Sequence, residues 1–245
     1  MSGAHAHDDA SGQLEAAASR TGTPLRCHRV FPVRAPCGSG LAWPVMPGTD
    51  HYFSAHPASA DERRLVHVEL AGRVVPLHTA SGVFSPDHLD TGTAVLLHAV
   101  PEPPAAGHLL DLGCGWGPIA LTLALRAPRA DVWALDVNER ALELTRANAG
   151  SLGLDRIRAV TAAEIPAGMR FATIWSNPPI RVGKPALHEL LRTWLPRLEA
   201  GGTAYLVVAK ALGADSLARW ITSELGMPGE RVTTDKGFRV LAVRG

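Results

Sequence analysis

Three short stretches combine residue types that can do chemistry. In LLDLGCGWGP, residues 109–118, an apolar run leads into Gly113, Gly115 and Gly117. Glycines there let the backbone approach a ligand closely at the carboxyl edge of a sheet, where open α/β folds bind their ligands. Alone, such a loop is also read as a tight strand-to-helix turn. The second stretch is ALDVNE, where Asp136 ends another apolar run. A carboxylate at that place accepts hydrogen bonds from two vicinal ribose hydroxyls, so loop and acid together mark a nucleoside-containing cofactor. The glycine spacing is GxGxG rather than GxGxxG, and Asp111 stands just before it. A dinucleotide needs the helix N-terminus for its pyrophosphate. S-adenosylmethionine has no phosphate; it carries a sulfonium and an ammonium that an acid beside the loop attracts, and this chemistry favours it over NAD. Glu164, after a third apolar strand, is placed to accept from an adenine amino group; a solvated loop acid is the other reading.

The third stretch is Asn177-Pro178-Pro179-Ile180, directly after FATIWS. Both prolines lack an amide donor and fix the backbone, so the loop is rigid. The Asn177 side-chain oxygen and the Pro178 carbonyl can both accept hydrogen bonds from one NH2 group. An amino group on an sp2 carbon is a poor nucleophile because its lone pair is delocalised. Two acceptors gripping its hydrogens turn that lone pair toward an incoming methyl group and stabilise the positive charge that develops on nitrogen. No strong base is required, and most of the rate gain comes from alignment.

These stretches need a scaffold, and the chain alternates regularly where they lie. HLLDL, DVWALDV, RIRAVTA, FATIWS and TAYLVVAK read as strands. PIALTLALRA, NERALELTRANAGSLGL (capped by Asn138 and closed by Gly153), PALHELLRTWLPRL and ADSLARWITSEL read as helices. Strands alternating with helices imply βαβ units and a largely parallel sheet, and RVTTD and FRVLAV around Lys236-Gly237 add an antiparallel hairpin. Upstream, LVHVEL and RVVPLH flank Ala71-Gly72 as another hairpin, and a helix is expected from about Asp87 to Val100. Residues 1–48, rich in Ala, Gly, Ser and Pro, read as a poorly ordered extension. Residues 49–100 form a hairpin-and-helix lead-in belonging to the catalytic domain, and residues 101–245 form its cofactor-binding core. His5 and His7 lack a third ligand and read as chance, and Met46 is a possible alternative start of translation.

Composition sets the outer bounds. Of 245 residues, 46% are hydrophobic and 19% charged, as in ordinary globular proteins. Lys and Arg number 24 against 23 Asp and Glu, which excludes a strong global field for nucleic acid; any basic surface must be local. No uninterrupted apolar run is long enough for a membrane span. No signal-peptide pattern opens the chain, and Cys27, Cys37 and Cys114 are too few and scattered for a disulfide framework or a zinc site, so a cytoplasmic protein without a metal is expected.

DLGCGWGP and DVNERAL resemble the first two motifs of class I methyltransferases. That family has a Rossmann-like, mostly parallel seven-stranded sheet whose C-terminal hairpin runs antiparallel. HYF, GVFSPDHLDTGT, SNPPIRVGK and KGFRVLAV follow the same order as in the bacterial small-domain methyltransferases related to the 16S ribosomal RNA guanine-N2 methyltransferase, over about residues 50–245. The resemblance implies methylation of a guanine exocyclic amine in ribosomal RNA or the small ribosomal subunit, with S-adenosylmethionine as donor. It also implies that Phe84, Asp90, Gly92 and Thr93 of the lead-in line the cofactor pocket. They would do so with Asp111, Gly113, Cys114, Gly115, Trp116, Gly117, Asp136, Val137, Asn138, Glu164 and Asn177. Asn177, Pro178, Pro179 and Ile180 would hold the target amine. Two departures stand out: the extension is too short to supply the extra N-terminal domain of the long members, and Ile180 replaces an aromatic able to stack on a flipped base.

Arg181 and Lys184 could contact phosphates beside an extruded base, and Lys236 and Arg239, with Arg63, Arg64 and Arg73, could extend that surface; scattered surface cations are equally ordinary. Trp133, Trp175, Trp194 and Trp220 read as core, Trp116 as a wall of the cofactor site, and Cys114 as packing rather than as a nucleophile. Competing functions are a protein glutamine-amide N-methyltransferase, whose carboxamide NH2 poses the same problem, a small-molecule N-methyltransferase, and a non-catalytic RNA-binding module. The coexistence of Asp136 and Asn177 disfavours the last.

Overall fold

Apolar runs without polar alternation dominate the middle of the chain, because a parallel strand covered by helices is buried on both faces. In a computed structural model, which describes residues 59–245, these runs form β3 (His108–Leu112), β4 (Asp131–Leu135), β5 (Ile157–Val160), β6 (Phe171–Ser176) and β7 (Leu198–Ala209). With β8 (Gly229–Asp235) and β9 (Phe238–Arg244) they build one seven-stranded sheet in the order β5-β4-β3-β6-β7-β9-β8. β3 to β7 are parallel, and β9 is antiparallel to both β7 and β8. Helices α1 (Thr91–Ala99), α2 (Pro118–Arg126) and α3 (Glu139–Ser151) share one apolar core with one face of the sheet. On the other face, α4 (Lys184–Trp194) and α5 (Ala214–Leu225) enclose a second core around Leu110, Leu112, Ile174 and Leu206.

The lead-in hairpin, β1 (Arg63–Leu70) and β2 (Arg73–Ala80), is a separate two-stranded sheet. Ala71 and Gly72 both have positive φ, which closes a two-residue turn matching the strand twist. Val68, Leu70, Val75 and Leu77 bury its inner face in the first core. Asn148 of α3 locks it there: its Oδ1 accepts from the His78 N–H at 2.7 Å, and its Nδ2 donates to the carbonyls of His78 and Trp116. Arg140, the second residue of the same helix, donates to the carbonyls of Ser81 and Ser59.

Several boundaries differ from the sequence reading. α1 begins at Thr91, not near Asp87, because Asp90 is its N-cap and accepts from the Thr93 N–H. α4 ends at Trp194: Pro196 has no N–H to continue it, a 3₁₀ turn covers Leu195–Arg197, and β7 starts at Leu198, earlier than expected. β5 stops at Val160, since Thr161 caps a 3₁₀ turn over Ala162–Glu164. Trp133, Trp175 and Trp194 are buried, but Trp220 is half-buried and stacks on His188 with ring centroids 3.8 Å apart. Among the described residues no helix is long and apolar enough to cross a membrane. The 1–48 extension, His5, His7, Met46 and the HYF segment lie outside the described residues.

Candidate functional site

The strand order fixes where a site can form. From β3 the chain winds outward through β4 to β5, then crosses back to β6 on the other side of β3. At this reversal the loops after β3 and β6 diverge and leave a crevice at the carboxyl ends. One cavity occupies it. Gly113, Gly115, Asp136, Val137, Asn138 and Ala141 line one side, Asn177 to Arg181 with Ala209, Leu212 and Phe238 line the other, and Phe84 and Asp90 of the lead-in complete the lining, Asp90 beside Asn177.

At the first end the backbone is tightly held. The N–H groups of Gly113 and Cys114 both donate to the Leu135 carbonyl, joining the glycine loop to the end of β4. Gly117, at φ +100°, opens α2 where a Cβ would meet the Thr145 side chain at 3.0 Å. Asp136 organises the rest: Oδ2 accepts from the Gly115 N–H at 2.9 Å, and Oδ1 accepts from the N–H groups of Val137 and Asn138. Burial pushes this carboxyl above its usual range, and the same three N–H groups oppose the shift. Each carboxylate oxygen has two lone pairs, so Oδ2 keeps room for a ligand hydroxyl. Asn138 caps α3 through Oδ1 and donates from Nδ2 to the Gly82 carbonyl, which brings the lead-in loop to the cavity.

The second end has one polar pivot. Asn177 follows β6, and its Nδ2 donates to Asp90 Oδ2 at 2.8 Å and to Thr93 Oγ1 at 3.0 Å. Both carboxamide hydrogens are therefore held by α1, which leaves Oδ1 as an acceptor. The Pro178 carbonyl accepts from the Ile180 N–H at 2.8 Å and retains a second lone pair. Around this pivot the surface is apolar: Ile180, Ala209, Leu212 and Phe238.

Other expected site residues fall elsewhere. Glu164 does not line the cavity; its Oε2 accepts from the N–H and hydroxyl of Thr161, a capping box that lowers its pKa through those two bonds. Asp111 is wholly buried beneath the loop: Oδ2 accepts from the Ala120 N–H, and Oδ1 has no partner among the described residues. Burial pushes its pKa well up, so it anchors α2 from below rather than facing the cavity. Gly92 packs against the Phe238 ring. Thr93, Cys114 and Trp116 border a small adjoining pocket. The buried Cys114 thiol is pushed far above its ordinary pKa, mainly by burial, in keeping with a packing residue. Trp116 Nε1 donates to the carbonyls of Phe84 and Ser85.

The expected basic surface divides. Arg181 stands exposed at the cavity rim, Lys184 is exposed at the first position of α4, and Lys236 is exposed in the turn between β8 and β9. Arg239 is largely buried and ion-paired with Asp215 of α5. Arg63 pairs with Asp61 and Glu143, and Arg64 with Asp87 and Glu62. Sequence reasoning missed Ala209, Leu212 and Phe238 as cavity residues: only the pairing of Ala209 with Phe238 across β7 and β9 brings them there. The FRVLAV strand beginning at Phe238 was the one available signal.

With the geometry in place, three comparisons bear on the chain. A family model described as "Methyltransferase small domain" matches residues 74–242. A Bacillus subtilis protein, YbxB, described as uncharacterized, is 33% identical over 199 residues, 80% of this chain and 98% of that protein. Ribosomal RNA small subunit methyltransferase C of Ectopseudomonas mendocina is 35% identical over 196 residues, 77% of this chain and 57% of that enzyme. The Pseudomonas syringae enzyme of the same name is 36% identical over 149 residues, 59% of this chain and 44% of that enzyme. This chain thus spans about half the length of those methyltransferases. Among solved structures, T. thermophilus RsmC, a 16S rRNA N2 methyltransferase in complex with AdoMet and guanosine, superposes with a TM-score of 0.65 at 23% identity. That match covers 77% of this chain and 52% of that one and shows the shared fold. The chain therefore belongs to the methyltransferase small-domain family, whose methyl donor is S-adenosylmethionine.

Proposed function

We propose that this protein transfers a methyl group from S-adenosylmethionine to the exocyclic N2 amine of a guanine in small-subunit ribosomal RNA. The observation that carries the reading is the anchoring of Asn177: with Nδ2 taken up by Asp90 and Thr93, the group left for a ligand is the acceptor Oδ1. An acceptor fixed in that sense suits a donor such as an aryl NH2 and offers nothing to a carbonyl or phosphate oxygen. The apolar surface around it suits a planar heterocycle. The named small-subunit RNA methyltransferases among its relatives support RNA as the substrate class.

S-adenosylmethionine supplies an electrophilic methyl group on a sulfonium. In this reading Asp136 accepts from the ribose hydroxyls, while Val137 and Asn138 follow the nucleoside and the Gly113–Gly117 backbone borders the methionine moiety. Asn177 Oδ1 and the Pro178 carbonyl each accept one hydrogen of the target amine. That grip points the nitrogen lone pair at the methyl carbon as the carbon–sulfur bond breaks and the carbon–nitrogen bond forms. The positive charge arising on nitrogen is stabilised by the same two oxygens, and the proton leaves to solvent afterward. Asp90 and Thr93 act one step back, as positioning residues. The lead-in hairpin and α1 work as part of the catalytic domain, and the enzyme acts in the cytoplasm where ribosomes assemble. Arg181, Lys184 and Lys236 face the RNA backbone near the cavity mouth.

The test offers tritiated S-adenosylmethionine with ribosomal RNA, 30S subunits, 50S subunits and ribosome-free protein, all from cells lacking this gene. Label in small-subunit RNA that disappears with Asn177→Ala is expected. Label in protein alone would replace this reading with methylation of a glutamine amide.

A further inference from the structure

Ile180 leaves the acceptor end without an aromatic on the Asn-Pro-Pro loop, yet that end is not without a ring. Phe238, the first residue of β9, enters the cavity from the C-terminal hairpin. Its backbone is fixed by pairing with Ala209 at the carboxyl end of β7, and the Lys210 N–H donates to the Gly237 carbonyl at the turn. Its ring lies against α1 at Gly92. A Cβ on Gly92 would meet Phe238 Cε1 at 2.9 Å, Cδ1 at 3.0 Å and Asp90 Oδ2 at 3.0 Å. Gly92 has an ordinary backbone conformation, so the missing side chain reflects space and not φ. One face of that space belongs to the ring, and the other to the carboxylate that holds Asn177. Phe238 is thus built into the same cluster that holds Asn177.

Resting on the proposed N-methyl transfer to a guanine, we propose that Phe238 is the stacking wall for the target base, supplied by β9 in place of an aromatic after Asn-Pro-Pro. A purine slipped between this ring and the Ile180–Leu212 side of the cleft presents its edge, and with it the amine, to Asn177 Oδ1. The glycine at 92 is the seat that holds the ring at the height of the acceptor. A glutamine carboxamide is too small to use such a wall, so Phe238 also discriminates between acceptor classes.

The experiment compares full-length wild type with Phe238→Leu, Phe238→Tyr and Gly92→Ala. KM and kcat for unmethylated small-subunit RNA are measured alongside the Kd for S-adenosylmethionine. Phe238→Leu is expected to lower kcat/KM for RNA about tenfold or more, in line with loss of one base–aromatic stack. Its cofactor Kd should stay within about twofold, Phe238→Tyr should restore transfer, and Gly92→Ala should lower it without weakening the cofactor. Unchanged transfer by Phe238→Leu overturns the wall while the function stands. A loss of cofactor affinity matching the loss of transfer also overturns it, by making Phe238 part of the donor site. Absence of RNA labelling by wild type overturns the function and the wall with it.

Discussion

The two ends of the cleft solve opposite problems with opposite materials. Around Asp136 the wall is mostly backbone: a glycine loop tied by two N–H groups to the Leu135 carbonyl, and a carboxylate held by three amides. Around Asn177 it is mostly side chain, apolar, with one carboxamide whose orientation is dictated from α1. A ligand shared by every turnover can be met by a rigid backbone cradle that no side-chain motion disturbs. A group that must be recognised, presented and released calls for replaceable apolar walls and one fixed polar contact. On the proposed function, the difference teaches that the chemistry is divided along the sheet: β3 and β4 would hold the donor, and β6, β7 and β9 the acceptor.

That division breaks or sharpens with substitution. Asn177→Ala should reduce transfer by about 10²–10³-fold, the usual loss for one preorganised charge-stabilising group, while leaving cofactor affinity almost intact. If steady-state rates and calorimetric Kd fall together, the two ends are not independent. Asp136→Ala is the converse. Removing a charged acceptor should weaken cofactor binding by about 1.5–3 kcal/mol, roughly 10- to 150-fold in Kd, as read by calorimetry. Retention of full cofactor affinity would mean that the loop amides, not the carboxylate, hold the donor.

Asn148→Ala touches neither end directly but removes three buried hydrogen bonds that seat the hairpin against α3 and the glycine loop. Denaturant unfolding should show a loss of about 1–3 kcal/mol, with cofactor affinity falling more than the acceptor-side kcat. Asp111 gives the pH dependence. Its folded pKa is raised, so the folded chain holds this proton more tightly than the unfolded chain does. The contribution is therefore fully favourable below the unfolded value of about 3.9 and is lost as pH rises through the folded pKa. Asp111→Asn keeps an oxygen for the Ala120 N–H and cannot ionise. Melting curves from pH 4 to 8 should show the variant gaining on wild type as pH rises, and parallel curves would refute this. The smallest effect belongs to the hairpin turn. Ala71 sits at φ +50°, and Ala71→Asn should stabilise by about 0.5 kcal/mol in chemical denaturation.

Both ends were legible in the sequence to the extent that their residues were contiguous. The glycine loop, Asp136 and Asn-Pro-Pro each follow a strand directly, so reading the strand placed the motif. The sheet itself could be read because apolar runs, proline stops and the Lys236-Gly237 turn are local signals. What escaped was long-range. Phe238 reaches the acceptor end because β9 inserts between β7 and β8, a fact of strand order that no spacing reveals. Arg239 looked like a free cation until α5 placed Asp215 beside it. Glu164 lies at the expected strand end, but Thr161 three residues earlier captures its carboxylate, a competition between local capping and ligand contact. Trp220 fitted a helical apolar stripe, yet His188 covers its ring where deeper core was expected.

The two hydrogen bonds between Asn148 and His78 have a consequence for how the protein behaves in company. A two-stranded sheet has two open edges, each a template for another chain. At His78 the outward-facing N–H and carbonyl of β2 are both taken by one side-chain amide, which does for that residue what a neighbouring strand would do. Asn148 therefore acts as a strand one residue long and shuts that edge to intermolecular pairing toward the end of β2. A substitution there that kept the enzyme folded would still expose a hydrogen-bonding edge, and its first symptom in a crowded cell would be aggregation.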